Sequence, residues 1–141
     1  MAEANAKRGS KAERPLSPHL QIYKMPINMV MSIVHRITGG ALYVGTLLVA
    51  WVLMAAASGP DYFTYVTGLL GTWPGLIVLF GYTWALLHHL VGGVRHFVWD
   101  TGHGYELHTV DLLSWGTLGI SVALTLLIWG YVLLAGGGAD L

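Results

Sequence analysis

The chain has 141 residues, of which 55% are hydrophobic and 10% are charged, and its seven Lys and Arg residues balance seven Asp and Glu residues. Soluble domains contain about 25% charged residues, and a soluble core of this size cannot bury so much apolar surface. The composition therefore excludes a water-soluble enzyme and indicates a small integral membrane protein, and the lack of cysteine excludes disulfides, iron–sulfur ligation and covalently attached c-type haem.

The first 27 residues form a polar, basic segment ahead of the first apolar run. They contain five of the seven cationic side chains, namely Lys7, Arg8, Lys11, Arg14 and Lys24. The apolar stretch that follows is longer than the apolar core of a signal peptide, and no small-residue cleavage pattern precedes it. We therefore expect residues 1–27 to be a retained N-terminal segment on the cytoplasmic side.

Three long apolar runs follow, and each exceeds the ~20 residues that a membrane-spanning helix needs. No charged residue occurs within 37–60, 62–94 or 112–139. The predicted spanning helices are 28–57, 73–99 and 112–135. Because the runs lack the period-two alternation of a membrane barrel, the predicted fold class is an all-α integral membrane protein with three transmembrane helices.

The positions of Lys and Arg predict how these helices are oriented. All seven lie in the N-terminal segment, near the start of the first helix or near the end of the second, whereas 58–72 and 136–141 contain none. Loops on the cytoplasmic side carry an excess of Lys and Arg. We expect the N-terminus and the loop 100–111 to be cytoplasmic and the C-terminus to be periplasmic.

The second predicted helix carries histidines inside an apolar run. His89 and His96 are seven residues apart and share a face with Gly92 or Gly93 between them. Ionisable residues at membrane depth are rare and usually functional, and glycine allows a flat group such as haem, whose iron histidine can ligate, to approach the backbone. Glycine also serves helix packing, and a buried histidine can bond across a helix interface. The spacing alone leaves both roles open for His89.

Neighbouring residues leave further alternatives. His88 points about 100° away from His89, which favours a structural role but leaves it open as an alternative ligand. Arg95 and His96 lie near the predicted interface, where they would face lipid headgroups or neutralise haem propionates. Since His89 and His96 project from the same face, they cannot bind one iron from opposite sides. A six-coordinate haem would therefore need a second ligand from His35 or from another subunit.

The first predicted helix begins with another polar group. Ser32 and Arg36 are four residues apart and share a face, with His35 beside them. A hydroxyl, an imidazole and a guanidinium offer hydrogen-bond donors to a quinone carbonyl or to propionates. A cation near a helix end can equally reach the interface as a simple membrane anchor, so both interpretations of Arg36 stay open.

Three motifs in chain order resemble those of one family. They are Arg14-Pro15-Leu16-Ser17-Pro18-His19-Leu20-x-Ile22-Tyr23, Ser32-x-x-His35-Arg36-x-Thr38-Gly39 and His89-x-x-x-Gly93-x-Arg95-His96-x-x-Trp99-Asp100. Each motif alone is weak, but together the chain resembles the cytochrome b556 membrane-anchor subunits of succinate dehydrogenase, respiratory complex II. The resemblance covers 14–100 and extends in topology to the C-terminus.

The resemblance implies a subunit of a four-chain enzyme, and not the dehydrogenase itself. A flavoprotein subunit oxidises succinate, an iron–sulfur subunit relays electrons, and two small anchor subunits bind haem b and reduce ubiquinone or another quinone. It implies that His89 is the axial haem ligand, opposite a ligand from the second anchor subunit, and that Ser32 and Arg36 bind quinone. The residues it places around the haem or its propionates are His35, Arg36, Gly92, Gly93, Arg95 and His96.

Other functions remain alternatives. A haem-free structural anchor would keep the helices and use His89 for packing, and an anchor of fumarate reductase would work in the reverse direction. A small transporter is disfavoured because no ladder of charges crosses the predicted spans. The expected surroundings are the lipid of a bacterial inner membrane, and the balanced charge gives no indication of a nucleic-acid partner.

Overall fold

The computed structural model describes residues 23–136. Within this range there are four helices: α1 (Ile27–Ser58), α2 (Pro60–Leu70), α3 (Trp73–Asp100) and α4 (Leu107–Gly136). By length and composition, α1, α3 and α4 could each cross a membrane, which confirms the predicted all-helical class with three candidate spans. The first motif and the basic segment fall almost entirely outside the described residues, so their predicted roles stay predictions.

The segment 58–72, expected to be a loop, contains the 11-residue helix α2. Gly59 precedes it with a φ of 123°, a backbone conformation that side chains disfavour, and Pro60 and Asp61 occupy its first turn. Proline and carboxylates both suit a helix start. Since 11 residues extend only about 17 Å at the usual rise per residue, α2 is too short to span a bilayer.

A hydrogen bond attaches α2 to the end of α1, and one side chain of α2 is buried. The indole Nε1 of Trp51 donates a hydrogen bond of 2.9 Å to the hydroxyl of Tyr62, and Val66 is completely buried. Helix α4 also differs from expectation, because it begins at Leu107 rather than at 112. The extra turn includes polar residues that a search for apolar runs leaves out, although helical backbone continues through them.

Along its apolar stretch, helix α4 buries small hydroxyl side chains and exposes many of its large apolar ones. Its buried residues, all on one face at intervals of three or four, are Ser114, Thr117, Ser121 and Thr125. Large apolar side chains lie on the surface instead, with Leu127 69% and Leu134 87% exposed. Lipid provides no hydrophobic force between helices, and small and polar residues dominate helix contacts there. The burial pattern is therefore that of a bundle surrounded by lipid.

Glycines bring α1 and α3 close together. Gly39 faces the imidazole of His89, and a Cβ added there would lie 2.9 Å from its Cε1 atom. Gly45 faces the ring of Tyr82 so closely that an added Cβ would overlap it. The two helices run antiparallel, so residues early in α1 meet residues late in α3, and this contact forms the site described below.

The tight turn between α2 and α3 gives a test of the packing. A Cβ at Gly75 would lie 2.6 Å from the Leu70 Cα and 2.7 Å from the Leu69 carbonyl oxygen, and backbone atoms cannot yield as a side chain can. We expect Gly75→Ala to lower the free energy of unfolding in mild detergent by about 1–3 kcal/mol, as overpacking usually does.

The matched control is Gly81→Ala on the same helix. Among the described residues, no heavy atom beyond its own helix backbone and chain neighbours lies within 4 Å of a Cβ at that position. We expect this variant to be as stable as the unaltered chain or slightly more stable, because alanine favours helix over glycine. Equal destabilisation by both substitutions would contradict the turn geometry.

Candidate functional site

Three histidines from α1 and α3 form an imidazole cluster, which consists of His35, His89 and His96. The rings of His35 and His89 stack with their centroids 3.9 Å apart and their planes 3° from parallel. The ring of His96 lies 5.1 Å from that of His35, at an angle of 53°. The sequence predicts the shared face of His89 and His96, whereas antiparallel packing of α1 on α3 is what adds His35 to them.

Glycine allows the stack to form. Gly92 is buried, and a Cβ there would lie 2.5 Å from the His35 Nδ1 atom. The flat group beside Gly92 is therefore an imidazole of this chain. Gly93 differs: within residues 23–136, nothing beyond its own helix and chain neighbours lies within 4 Å of a Cβ added there. The side of α3 that carries Gly93, one turn from His89, remains open.

The hydrogen bonding of His89 fixes which ring nitrogen carries its proton. His89 Nδ1 lies 3.1 Å from the backbone carbonyl oxygen of His35, and a carbonyl can only accept, so Nδ1 is the donor. Thr38 Oγ1 donates to the same carbonyl at 2.9 Å. In a neutral imidazole the other nitrogen, Nε2, then carries a lone pair. An Nδ1–H bond to a backbone carbonyl is the usual way to orient a metal-ligating histidine.

In the stacked arrangement, His35 and His89 cannot hold one iron atom between their rings. An imidazole lone pair lies in the plane of its ring, so an iron held by two histidines lies in both ring planes. Stacked planes that are 3° from parallel with centroids 3.9 Å apart share no point near both rings. The second source, a ligand from another subunit, stays a prediction.

Ser32 and Arg36 form the predicted pair on the exposed side of α1. Arg36 Nε donates to the Ser32 carbonyl oxygen and Nη2 donates to the Ser32 Oγ, each at 3.2 Å. A guanidinium has five N–H donors, so three remain beyond these two bonds. Both side chains are exposed, and Arg36 follows directly after His35. The pair can therefore offer donors to a further group at the edge of the imidazole cluster.

His88 and Arg95 point away from the imidazole cluster and into α4. His88 is completely buried, with Nδ1 3.2 Å from Ser121 Oγ. Arg95 is 4% exposed, and its Nη1 donates to Ser114 Oγ at 3.1 Å. The predicted role of Arg95 at headgroups or propionates stays a prediction, and in the structure its guanidinium faces α4. The reason is helical periodicity: residue 95 is seven positions after 88 and so shares that residue's face.

Sequence reasoning assigns no role to three residues that the structure ties to the site. Thr38 belongs to the second motif and bonds the carbonyl that holds His89, and Ser114 and Ser121 receive bonds from α3. The available signal is the row of hydroxyl residues within the apolar run of α4. In residues 23–136, no group of three or more His, Asp or Glu side chains is arranged to hold a metal ion.

The fold and the site define a class of protein, namely a membrane protein of three long helices with an imidazole cluster between two of them. The chain belongs to the succinate dehydrogenase/fumarate reductase transmembrane subunit family, which matches residues 10–128. This confirms the resemblance drawn from the three motifs.

Its relatives include both bacterial and mitochondrial proteins. The chain is 41% identical over 127 residues to the succinate dehydrogenase cytochrome b556 subunit of Paracoccus denitrificans, covering 90% of this chain and 94% of the relative. The subunit of the same name in Rickettsia felis is 35% identical over 117 residues, or 83% and 91% of the two chains. The mitochondrial succinate dehydrogenase cytochrome b560 subunit of Mus musculus is 37% identical over 110 residues, or 75% and 64%.

The stack on Gly92 can be tested directly. We expect Gly92→Ala to displace the His35 ring, because the new methyl group would occupy its position, and so to shift the ring-nitrogen resonances of His35 and His89. The measurement is solid-state NMR of the purified protein with isotope-labelled histidine in lipid bilayers. Gly81→Ala on the same helix is the matched control and should leave both resonances in place, because no described atom beyond its own helix and chain neighbours lies within 4 Å of a Cβ there. Identical spectra for the unaltered and Gly92→Ala proteins would contradict the stack.

Proposed function

We propose that this chain is the membrane-anchor subunit of a succinate:quinone oxidoreductase, in which it binds haem b and contributes to the quinone-reduction site. The observation that carries the proposal is the bond from His89 Nδ1 to the His35 carbonyl, which orients the ring and leaves Nε2 as a lone-pair donor. The relatives are named cytochrome b subunits of succinate dehydrogenase. These names favour succinate oxidation over the reverse reaction of a fumarate reductase.

The partners follow from this role. A flavoprotein subunit would oxidise succinate, an iron–sulfur subunit would deliver electrons, and residues 1–27 would contact these soluble chains. A second small anchor subunit would supply the axial ligand opposite His89, since the stacked ring of His35 cannot. This chain alone is proposed to have no succinate dehydrogenase activity.

The residues around His89 fit a haem. Haem b, when bound, supplies one-electron redox chemistry. His89 would hold the iron through Nε2, and the open side of α3 at Gly93 leaves room beside it. His35, His96 and Arg36 would meet the propionates, because ring N–H and guanidinium groups form strong hydrogen bonds with carboxylates.

Two residues in the predicted haem surroundings take other parts in this proposal. Gly92 acts indirectly by making room for the His35 ring. Arg95 is assigned to the contact with α4, because its guanidinium bonds Ser114 in a buried position. The charge that meets the propionates would therefore come chiefly from α1.

The quinone would bind beside Ser32 and Arg36. Three N–H groups of Arg36 have no acceptor among residues 23–136, and the Ser32 hydroxyl, which accepts from Arg36, can turn its own proton toward a quinone carbonyl. As the quinone gains electrons its oxygens become more negative, and fixed donors in a low-dielectric site stabilise that charge better than water does. Both residues would bind and orient the headgroup of ubiquinone or a similar quinone.

The proposed orientation would put this site near the soluble electron donors. Antiparallel packing brings the start of α1 and the end of α3 to one end of the bundle, where Lys24, Arg36 and Arg95 lie. By the preference of Lys and Arg for the cytoplasmic side, we propose that this end and the N-terminus are cytoplasmic and the C-terminus is periplasmic. The protein would reside in the bacterial inner membrane.

The haem assignment is tested by paired substitutions in the complete complex. We expect His89→Ala to abolish the reduced b-type haem band, because the iron loses its ligand, and His88→Ala to retain bound haem, because His88 is directed into α4. The measurement is a dithionite-reduced minus oxidised visible spectrum together with haem content. Haem retained in His89→Ala and lost in His88→Ala would contradict the assignment. An intact unaltered complex without haem would favour the haem-free anchor.

The quinone site is tested by separating two activities. We expect Arg36→Leu to reduce succinate-driven quinone reduction at least tenfold, about 1.4 kcal/mol of lost stabilisation, and to leave succinate oxidation by a soluble artificial acceptor nearly unchanged. Ser32→Ala should act in the same direction, with Ser58→Ala at the far end of α1 as its control. Equal loss of both activities in Arg36→Leu would indicate an assembly defect and count against a quinone-binding role.

A further inference from the structure

Helix α3 is held on two faces by two consecutive histidines. His89 bonds α1 through the His35 carbonyl at 3.1 Å, and His88 bonds α4 through Ser121 at 3.2 Å. Neighbouring residues on an α-helix point about 100° apart, so a rotation of α3 changes both contacts together. The two bonds therefore couple the direction of His89 to the position of α4.

The proton positions make the contact with α4 specific. Ser121 Oγ gives its proton to the Leu118 carbonyl of its own helix at 3.0 Å, so toward His88 it can only accept. His88 Nδ1 is then the donor, and its buried Nε2, which has no hydrogen-bond partner in the described residues, is the unprotonated nitrogen. Burying an unprotonated ring nitrogen without a partner costs less than burying an N–H group without an acceptor, and this tautomer leaves no such N–H group.

The same arrangement recurs two turns away. Ser114 Oγ gives its proton to the Val110 carbonyl at 2.7 Å and accepts from Arg95 Nη1 at 3.1 Å. From the Ser114–Arg95 pair to the Ser121–His88 pair, the position advances by seven residues along α4 and goes back by seven residues along α3. Antiparallel helices require these opposite directions. At 1.5 Å per residue the two contacts are about 10 Å apart. Two such contacts with α4 resist both rotation and tilt of α3, whereas α3 could still turn about a single contact.

We propose that Ser121 is a positioning residue for the haem ligand: its bond to His88 sets the rotation of α3 and thereby the direction of His89 Nε2. This inference rests on the proposed haem-binding role of His89. A helix with its side chains has a radius of about 5–6 Å, so a 10° rotation displaces an outer ring atom by about 1 Å. Functional groups usually need placement to within about 0.5 Å, so the loss of this contact would change the ligand geometry.

The test uses the complete complex carrying Ser121→Ala. We expect haem to be retained but its EPR g-values and midpoint potential to shift, because both depend on the orientation of the axial imidazole. Thr117→Ala is the matched control: Thr117 is 3% exposed on the same face of α4, and its hydroxyl donates at 2.8 Å to Leu113 of its own helix. The control should leave the g-values and the potential unchanged.

A double substitution identifies the path of the effect. His88→Ala should reproduce the shift in g-values, and the combined His88→Ala and Ser121→Ala variant should shift them no further, because both remove one contact. Unchanged g-values and potential in Ser121→Ala would overturn the inference, as would an equal shift in Thr117→Ala or an additive shift in the double variant. If the unaltered complex contains haem and His89→Ala lacks it, these outcomes reject the positioning role alone. A haem-free unaltered complex rejects the proposed function and the inference with it.

Discussion

The close approach of α1 and α3 at glycine is the constraint on which the rest of the site depends. Without side chains at Gly39 and Gly92, the two imidazole rings of His35 and His89 fit between the helices and stack. The stack brings His89 to a backbone carbonyl of α1, which fixes its protonated nitrogen. The absence of a Cβ atom at Gly39 and at Gly92 thus determines how the His89 ring is oriented. It also determines which ring nitrogen is protonated and which one carries a lone pair.

Polar contacts take the place that an apolar core has in a soluble protein. The described residues with buried side chains include more polar than apolar members, and they bond α3 to both of its long neighbours. Because lipid tails are as apolar as the side chains that face them, burial of leucine or valine specifies little about how these helices meet. A buried histidine or arginine does specify it, since leaving such a group without a partner is costly. Helix α3 accordingly makes polar contacts with both α1 and α4.

The sequence predicts the long helices because unbroken apolar runs are required by the thickness of the bilayer. It does not predict α2, since an 11-residue helix needs no long apolar run and its start is marked only by the weak signals of Gly59, Pro60 and Asp61. Helical spacing correctly separates the face of His88 from that of His89. The same helical spacing puts Arg95 on the face of His88, although the charge of Arg95 suggested a position at the membrane–water interface. The stack of His89 with His35 depends on how α1 packs against α3. Residue spacing within one helix does not contain that information.

The hydroxyl groups along α4 have a bearing on how the protein is made. Those of Ser114, Thr117, Ser121 and Thr125 each donate to a carbonyl three or four residues earlier in the same helix. Such a helix has its hydroxyl protons satisfied before it meets another. These four hydroxyls therefore need no acceptor from another helix when α4 enters lipid, and only their oxygen lone pairs are left to accept N–H groups of α3. The indole N–H of Trp129 is the donor that α4 gives to α3, at 3.3 Å from Thr83 Oγ1. Membrane insertion and helix assembly become separate stages, and the second needs no hydroxyl donor to break its existing bond.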